Sequence, residues 1–268
     1  GSGLTYQWRK GAANLVNGGA IVGATTANLT INPTTVLDVA TDYYVVISGA
    51  CQPNDTSDMV SLTIDTLTSI VTQPIAITAC AGDSVAFVVG VTGSGLTYQW
   101  RVGLINLIDD GTVTGVTNDT LILNPVSVLN AAINYNVVVT GNCLPSVTSI
   151  DVALTINTAP QFMTQPTDQT VCDGGSVTFS AMVIGSALTY QWKKGAANVV
   201  DGGSISGATT ATLTINPATS ADIANDYYLI VSGACQPNDT SNMVSLSIDT
   251  MAIIITQPTD MIACIGDS

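Results

Sequence analysis

The stretch Leu96-Thr97-Tyr98-Gln99-Trp100-Arg101 contains the tetrapeptide that decides the fold of this chain. Thr-Tyr-Gln-Trp occurs at residues 97–100 and again at 5–8 and 189–192, with a spacing of 92 residues each time. The same offset relates nine of the ten prolines and all six cysteines, so the register never slips. A fixed period of this size is the signature of tandem structural repeats.

Within one period, residues 70–161, short runs rich in Val, Ile and Thr are separated by Gly, Asn, Asp and Pro. Such runs predict β-strands joined by turns. We expect the strands at 71–80 (A and A′), 84–91 (B), 96–102 (C), 121–123 (E), 135–140 (F) and 148–156 (G). The irregular stretch 103–119 is expected to add one or two edge strands.

Two aromatic positions in each repeat make this pattern immunoglobulin-like. A single Trp lies on strand C, where it fills the space between two sheets, and a Tyr near the start of strand F resembles the tyrosine corner. We therefore predict an all-β, rod-like array of tandem immunoglobulin-like β-sandwich modules. We assign a structural core role, not a sugar-binding or catalytic one, to Trp8, Trp100, Trp192, Tyr43, Tyr135 and Tyr227.

The repeat divides the chain into four parts. These are a partial module over 1–69 (strands C to G), complete modules over 70–161 and 162–253, and the start of a further module, its strand A, over 254–268. The sequence begins just before strand C and stops at Asp267 and Ser268, just before strand B. We expect a window of a longer repetitive fibre. The alternative is that neighbouring chains complete each other's sandwiches by exchanging strands.

The composition excludes several classes of function. The 268 residues include 19 acidic residues, all of them Asp, 5 Lys or Arg, and no His, which gives a net charge of -14. That charge disfavours nucleic acid and anionic membranes as partners. The longest aliphatic stretch, around 251–255, is far shorter than the roughly 20 residues that span a bilayer. With neither Glu nor His, the usual general bases are missing, and we predict no enzyme, no catalytic residue and no cofactor.

The runs 79–87 (Ala-Cys-Ala-Gly-Asp-Ser-Val-Ala-Phe), 96–101 and 135–143 carry a resemblance to a known family. They resemble the immunoglobulin-like repeats of very large cell-surface adhesins and gliding-associated extracellular proteins of gliding bacteria. The resemblance covers the whole chain and implies export by a type IX-like secretion route and a place at the cell surface.

The cysteines indicate an oxidising compartment and a disulfide framework. The turn from A′ to B lies at the end where the chain leaves a module, whereas the F to G loop lies at the end where it enters. Because a strand spans roughly 17–20 Å and bridged Cα atoms lie within about 7 Å, we favour an interdomain bond between Cys80 and Cys235. The intramodule pairs Cys80–Cys143 and Cys172–Cys235 are the main rival. On the preferred scheme the partner of Cys172 lies beyond the end of the chain and those of Cys51 and Cys143 lie before its start, and Cys264 is a further disulfide candidate.

Two surface features remain to be assigned from the sequence. Asp109, Asp110 and Asp119, or Asp55 and Asp58 with Asn54, carry oxygen ligands that calcium prefers, but without EF-hand spacing we predict solvated turns and no metal site. Asp-Thr followed by an apolar residue is similar to the O-glycosylation motif of the same bacterial group, which makes Thr66, Thr120 and Thr250 candidate acceptors.

Two hypotheses for function follow. The first is a structural one: a stiff, disulfide-stabilised filament or adhesin stalk, secreted to the cell surface, whose partners are neighbouring copies of the same repeat or chain. The second is recognition of a polysaccharide or protein ligand by the C to E loops, 11–26, 103–119 and 195–210, because loops on a rigid scaffold carry binding. The first and third loops are nearly identical and the middle one diverges.

Overall fold

The computed structural model describes residues 1–266, and nearly all of their regular structure is β-strand. Three 3-10 helical turns lie over Val36–Asp38, Val128–Asn130 and Ser220–Asp222. Across the described part of the chain, no helix has the length and apolar character needed to cross a membrane. We refer to the strand sets within 5–62, 69–157 and 161–249 as modules 1, 2 and 3.

The strands repeat with the period of the sequence. Those of module 1 are β1 (Thr5–Lys10), β2 (Ala13–Asn14), β3 (Ile21–Val22), β4 (Thr30–Ile31), β5 (Ala40–Ser48), β6 (Asp55–Thr56) and β7 (Val60–Leu62). Those of module 2 are β8 (Ser69–Thr72), β9 (Ile77–Cys80), β10 (Val85–Val88), β11 (Gly90–Thr92), β12 (Thr97–Val102), β13 (Ile105–Asn106), β14 (Val113–Thr114), β15 (Thr120–Leu123), β16 (Ala132–Thr140), β17 (Val147–Thr148) and β18 (Val152–Asn157). Those of module 3 are β19 (Gln161–Thr164), β20 (Gln169–Cys172), β21 (Val177–Ser180), β22 (Met182–Ile184), β23 (Thr189–Lys194), β24 (Ala197–Asn198), β25 (Ile205–Ser206), β26 (Thr212–Ile215), β27 (Ala224–Ser232), β28 (Asp239–Thr240) and β29 (Val244–Asp249).

Modules 2 and 3 share one sheet topology. The larger sheet of module 2 has the order β13-β12-β16-β18-β9, with β17 also on β16, and its last pairing, β18 with β9, is parallel. The opposite layer consists of β10-β15-β14 and the pair β8–β11. The predicted strand A is divided into β8, which pairs with β11, and β9, which pairs with β18. The predicted strand B is divided into β10, which pairs with β15, and β11, which pairs with β8. The pair β13 and β14 provides the edge strands expected within 103–119.

The core of each sandwich is built around the strand C tryptophan. Trp100 is fully buried, and its ring centroid lies 6.1 Å from that of Phe87 on β10, which in turn stacks on Tyr135 at 5.0 Å. Trp192 in module 3 is also fully buried and contacts Phe179 in the same way, at 6.0 Å. Burial of such aromatic rings is the largest favourable contribution that single side chains make to a core.

The phenol at the start of strand F closes a corner in every module. Tyr43, Tyr135 and Tyr227 donate a hydrogen bond from Oη to the main-chain oxygen five residues upstream, at 2.6, 2.7 and 2.8 Å. Burial, followed by the charges of Asp222 and Asp226, raises the pKa of Tyr227 to about 12. The phenol therefore stays neutral and remains a donor at ordinary pH.

Module 1 is more open than the other two. Its sheets are β2-β1-β5-β6 with β7 on β5, and the pair β3–β4, so no strand of residues 1–266 occupies the positions that β8 to β11 take in module 2. Trp8, which corresponds to Trp100, is only partly buried. Beside it lies a pocket of about 330 Å³ lined by Trp8, Leu29, Ile31, Tyr43 and Leu62, among others. In module 2 the ring of Phe87 lies at the corresponding place.

The segment after β29 contains no strand among residues 250–266. Its apolar side chains are exposed: Ile253 by 78%, Ile255 by 90% and Met261 by 89%. The expected start of a further module over 254–268 therefore stays a prediction, and its last two residues, Asp267 and Ser268, lie outside the described residues.

Candidate functional site: the junction between modules

The junction between modules 2 and 3 has very little free chain. Strand β18 ends at Asn157 and β19 begins at Gln161, so three residues connect the two sandwiches. Thr158 is held on both sides by Ser186 of module 3: its N–H donates to Ser186 Oγ at 3.1 Å and its oxygen accepts from Ser186 N at 3.1 Å. The connection is therefore fixed by hydrogen bonds to the module that follows it.

Cys80 is the last residue of β9 and is followed by a tight turn. Its N–H donates to Asp83 Oδ2 at 2.8 Å, and its main-chain oxygen accepts from Asp83 N at 3.0 Å. Gly82 in the turn has φ +97, which favours glycine because other side chains rarely adopt it. Since β9 pairs in parallel with β18 up to Asn157, the thiol lies beside the point where the chain leaves module 2.

Cys235 comes from the opposite side, in the loop after β27. The preceding residue, Ala234, donates its N–H to Ser186 O at 2.8 Å, so the loop is anchored to the same serine that holds the connecting segment. Gly233 lies so close to Pro160 that a Cβ there would come within 3.2 Å of the proline ring. Cys235 is 3% exposed.

The two cysteines form a disulfide across the junction, with Cα atoms 5.8 Å apart and 155 residues between them in sequence. This is the pairing that the topology of the sandwich favours. The rival intramodule bond Cys80–Cys143 is not formed, because Cys143 lies at the other end of module 2, where it makes a parallel bridge with Leu67. The disulfide thus links module 2 to module 3 by a second covalent connection.

The junction between modules 1 and 2 repeats the pattern without the disulfide. Thr66 donates its N–H to Ser94 Oγ at 2.9 Å, as Thr158 does to Ser186. Asn142 Nδ2 donates to Asp65 Oδ2 at 3.0 Å across the boundary. Both junctions therefore use a serine that precedes strand C to hold the connecting segment.

Comparisons with known proteins support the sandwich architecture. No protein-family model matches the chain, and no curated protein matches it either. Among solved structures, an I-band fragment of titin is similar with a TM-score of 0.74 and 17% identity, over 93% of this chain and 89% of that one. The fold is that of tandem immunoglobulin domains. The N-terminal eight Ig domains of Down Syndrome Cell Adhesion Molecule are similar with a TM-score of 0.52 and 15% identity, over 91% of this chain and 33% of that one.

The remaining cysteines of the immunoglobulin modules occupy equivalent positions. Cys51 and Cys172 are exposed and form no disulfide within residues 1–266, and Cys143 is partly buried. Cys264 is exposed and lies in the segment without strands. Cys172 ends β20 as Cys80 ends β9, and Cys51 follows β5 as Cys235 follows β27.

A set of polar anchors, which the sequence did not single out, fastens the A strands of the immunoglobulin modules. In module 3 the N–H of Phe162 donates to Asp239 Oδ2 at 3.0 Å, and Asn242 N donates to Gln165 Oε1 at 2.9 Å. Ser245 N donates to Asp168 Oδ1 at 2.7 Å, and the bonds from this serine lower the pKa of Asp168 below its ordinary value. The two partners of each of these hydrogen bonds lie 77 residues apart, and no sequence motif accompanies this spacing.

Three of the aspartates considered for calcium, Asp55, Asp109 and Asp110, accept hydrogen bonds from main-chain N–H groups. Asp110 Oδ1 accepts from Thr112 N at 2.8 Å and Val113 N at 2.7 Å, and these bonds lower its pKa. Asp109 Oδ1 accepts from Val116 N at 3.1 Å. Within residues 1–266, no cluster of three His, Cys, Asp or Glu side chains is arranged to hold a metal ion. These carboxylates shape the loop of the second immunoglobulin module.

The three candidate glycosylation threonines differ in their surroundings. Thr250 is exposed in the segment after β29. Thr66 is exposed, and its hydroxyl lies 3.2 Å from Ser94 Oγ in the junction. Thr120 is partly buried on β15 and donates from its hydroxyl to Asp119 Oδ1 at 3.0 Å. O-glycosylation at these positions stays a prediction.

Proposed function

We propose that this chain is a load-bearing stalk segment of an extracellular bacterial filament or adhesin, without catalytic function. The observation that carries the proposal is the disulfide from Cys80 to Cys235, which spans a connection of only three residues. Two modules joined at two separated points cannot hinge freely, whereas a single flexible connection would permit domain motion. The role that follows is transmission of force and orientation along the chain.

Two further features support an extracellular setting. Structural disulfides persist in oxidising compartments and are rare in the cytosol. The solved structures with tandem immunoglobulin domains include a cell adhesion molecule. The finer assignment, to the surface repeats of gliding bacteria exported by a type IX-like route, rests on the sequence resemblance alone.

The experiment is a comparison of intermodule flexibility with and without the disulfide. Small-angle X-ray scattering of the oxidised chain and of Cys80→Ser should give a narrower range of maximum dimensions for the oxidised chain. Cys172→Ser is the matched control, because it removes the cysteine at the same position of the next module, which forms no disulfide within residues 1–266. Equal distributions for the oxidised chain and Cys80→Ser would contradict the stalk proposal.

A second candidate function is ligand recognition by the loop 103–119 of module 2. Leu104, Ile105 and Ile108 are exposed by 89%, 76% and 77%. At the places of Leu104 and Ile105 modules 1 and 3 have alanine, whereas Ile108 is matched by the exposed Val16 and Val200, so the large apolar side chains at 104 and 105 are particular to module 2. We propose a protein or polysaccharide as the ligand.

A glycan array probed with the full chain tests the polysaccharide arm of this second function. The matched control is the double variant Leu104→Ala/Ile105→Ala, which installs the residues of module 1. Binding that survives this substitution would show that another surface holds the glycan.

A further inference from the structure

The outer face of the large sheet in module 2 carries a polar cluster that the other two modules lack. Trp100 on β12 and Tyr135 on β16 point into the core of the sandwich. Because successive side chains of a strand alternate between the faces of a sheet, Arg101 and Asn136 lie on the outer face. They are directly opposite each other in the pairing of the two strands. Asp151, just before β18, is the third member of the cluster.

Asn136 holds the two charged side chains in a fixed arrangement. Its Oδ1 accepts from Arg101 Nε at 3.0 Å, and its Nδ2 donates to Asp151 Oδ1 at 2.9 Å. The same Nδ2 donates to Gly103 O at 3.0 Å, and the side chain is only 4% exposed. A buried amide that is fastened in this way keeps the groups bonded to it in one geometry.

Both charged groups keep hydrogen-bonding capacity that the described part of the chain does not use. In residues 1–266 the Arg101 guanidinium donates only from Nε, so both Nη groups are available as donors. The second carboxylate oxygen of the aspartate, Asp151 Oδ2, accepts no hydrogen bond from the same residues. The cluster thus offers donors and an acceptor to a ligand.

An open pocket of about 520 Å³ lies over this cluster. Its lining combines Arg101 and Asp151 with the apolar side chains of Leu104 and Ile150. Leu104 is 89% exposed and Ile150 is 55% exposed. The volume is within the range of sites that hold small ligands.

The other modules show that the fold does not need this cluster. At the places of Asn136 and Asp151 they have tyrosine and methionine, namely Tyr44 and Tyr228, and Met59 and Met243. Strands C and F pair in the same register in all three modules. In module 1 the Nε of Arg9, the equivalent of Arg101, is buried without a hydrogen-bond partner in residues 1–266. The asparagine that fixes the guanidinium is therefore particular to module 2.

The unused groups indicate the charge of a fitting ligand. A guanidinium binds a carboxylate through two parallel hydrogen bonds. Asp151 beside it, and the net charge of -14, disfavour a ligand that places more than one negative charge here. Asp151 Oδ2 requires a hydroxyl or N–H donor, and Leu104 offers apolar surface to a ring.

The position of the pocket favours a sugar over a peptide. It lies over the face of β12 and β16, whose main-chain groups are paired with strands on both sides. An extended peptide is bound chiefly at a free strand edge, which this face does not provide. Recognition here therefore depends on side chains, for which the hydroxyl groups of a sugar are partners.

We propose that this pocket binds a carboxylate-bearing sugar, a uronic acid residue of a polysaccharide. The Nη groups of Arg101 bind the carboxylate, Asp151 Oδ2 accepts from a ring hydroxyl, and Leu104 covers the ring. This role deepens the second candidate function, ligand recognition by module 2, and rests on it.

The test is an NMR titration of the full chain with methyl glucuronide and with methyl glucoside, the matched probe without a carboxylate. The glucuronide should shift the main-chain amide signals of Gly103 and Asp151 with a Kd of about 1 mM, as expected for a ligand of this size. The glucoside should bind about 10-fold more weakly or less, because the charge-assisted hydrogen bonds are lost. N-acetyl-aspartate amide, which presents a carboxylate on a peptide group, should also bind more weakly than the glucuronide.

Two variants locate the binding site. Arg101→Gln should weaken binding of methyl glucuronide by about 10-fold or more. Asn136→Tyr installs the residue that modules 1 and 3 have in the same sheet, and it should weaken binding similarly because the guanidinium loses its fixed position. Arg9→Gln, the same change in module 1, is the matched control and should leave the Kd unchanged.

Four results would overturn the proposal: no shift with methyl glucuronide, equal binding of the glucoside, equal binding of N-acetyl-aspartate amide, or binding that Arg101→Gln does not weaken. Equal binding of the aspartate probe would indicate an acidic peptide as the ligand.

Failure of this proposal is distinguishable from failure of the second candidate function. Glycan binding that Leu104→Ala/Ile105→Ala abolishes and Arg101→Gln leaves intact would refute the uronic acid site and keep recognition by the loop. Binding of methyl glucuronide that only Arg101→Gln weakens would keep the site and refute the role of the apolar loop.

Discussion

A chain pulled from its two ends should extend much less when the disulfide from Cys80 to Cys235 is intact. The tension then passes through the sulfur atoms, and the 155-residue separation between the cysteines is removed from the loaded path. A fully extended chain spans about 3.3–3.6 Å per residue, so the hidden length is roughly 510–560 Å. All strands of module 2 from β10 to β18 lie inside this protected stretch.

Single-molecule force spectroscopy measures this length directly. The oxidised chain should show the unfolding of module 1 and a short contour length when fully extended. The contour length of Cys80→Ser, or of the wild type in a reducing agent, should be greater by about 500 Å. Cys143→Ser is the matched control, since Cys143 is equivalent to Cys235 but forms no disulfide within residues 1–266. If the oxidised wild type and Cys80→Ser reach the same contour length, the load does not pass through this bond and the reasoning fails.

Three other substitutions test the fold and its polar anchors. Trp192→Ala should lower the stability of module 3 by about 3–5 kcal/mol because the ring is fully buried. Trp8→Ala, at a partly buried site, should lower the stability of module 1 clearly less. Hydrogen exchange of the main-chain amides of β27 and β5 measures the two losses of stability, and equal losses would contradict the difference in packing. Tyr227→Phe should cost about 1 kcal/mol at neutral pH by removing the hydrogen bond to Asp222 O. Because the pKa of Tyr227 in the folded protein, about 12, exceeds the ordinary 10.0, the contribution of the phenol to stability is full below pH 10 and is lost as the pH rises through 12. An alkaline unfolding titration should therefore show a smaller loss of stability for Tyr227→Phe than for the wild type, with Tyr228→Phe as control. An unchanged alkaline profile would refute the role of the phenol. Asp168→Asn should weaken the docking of strand A′ at neutral pH and make module 3 less sensitive to acid. The pKa of Asp168 in the folded protein lies below 3.8, so the carboxylate contributes stability above pH 3.8, and this contribution is lost as the pH falls through the folded pKa. If the amide of Ser245 is equally protected from hydrogen exchange in both proteins from pH 3 to 7, Asp168 is not an anchor.

The features that the sequence predicted are those with a local or periodic signal. Alternation of Val, Ile and Thr fixes where strands form, and a lone Trp at a fixed distance before a Tyr indicates how two sheets pack. The interdomain pairing of Cys80 could be chosen because the order of strands decides at which end of a sandwich each loop lies. These inferences need only the chain order and the length of a strand.

The features that the sequence left open depend on partners far apart in the chain. Asp239 and Phe162 are 77 residues apart, and a side chain bonding to a main-chain N–H requires no particular residue at the donor. The partial burial of Trp8 does not follow from the tetrapeptide Thr-Tyr-Gln-Trp, which is the same at all three tryptophans, because burial depends on a phenylalanine from another strand. The division of strand B is likewise set by distant partners, since β10 pairs with β15 whereas β11 pairs with β8.

The bond between modules 2 and 3 has a consequence for damage to the chain. Hydrolysis of any single peptide bond between Cys80 and Cys235 gives two fragments that the disulfide still holds together. Arg101, Lys193 and Lys194, three of the five basic residues, lie in this interval. A trypsin-like protease that cuts once there would nick the chain without severing it, and the break would become visible only after reduction.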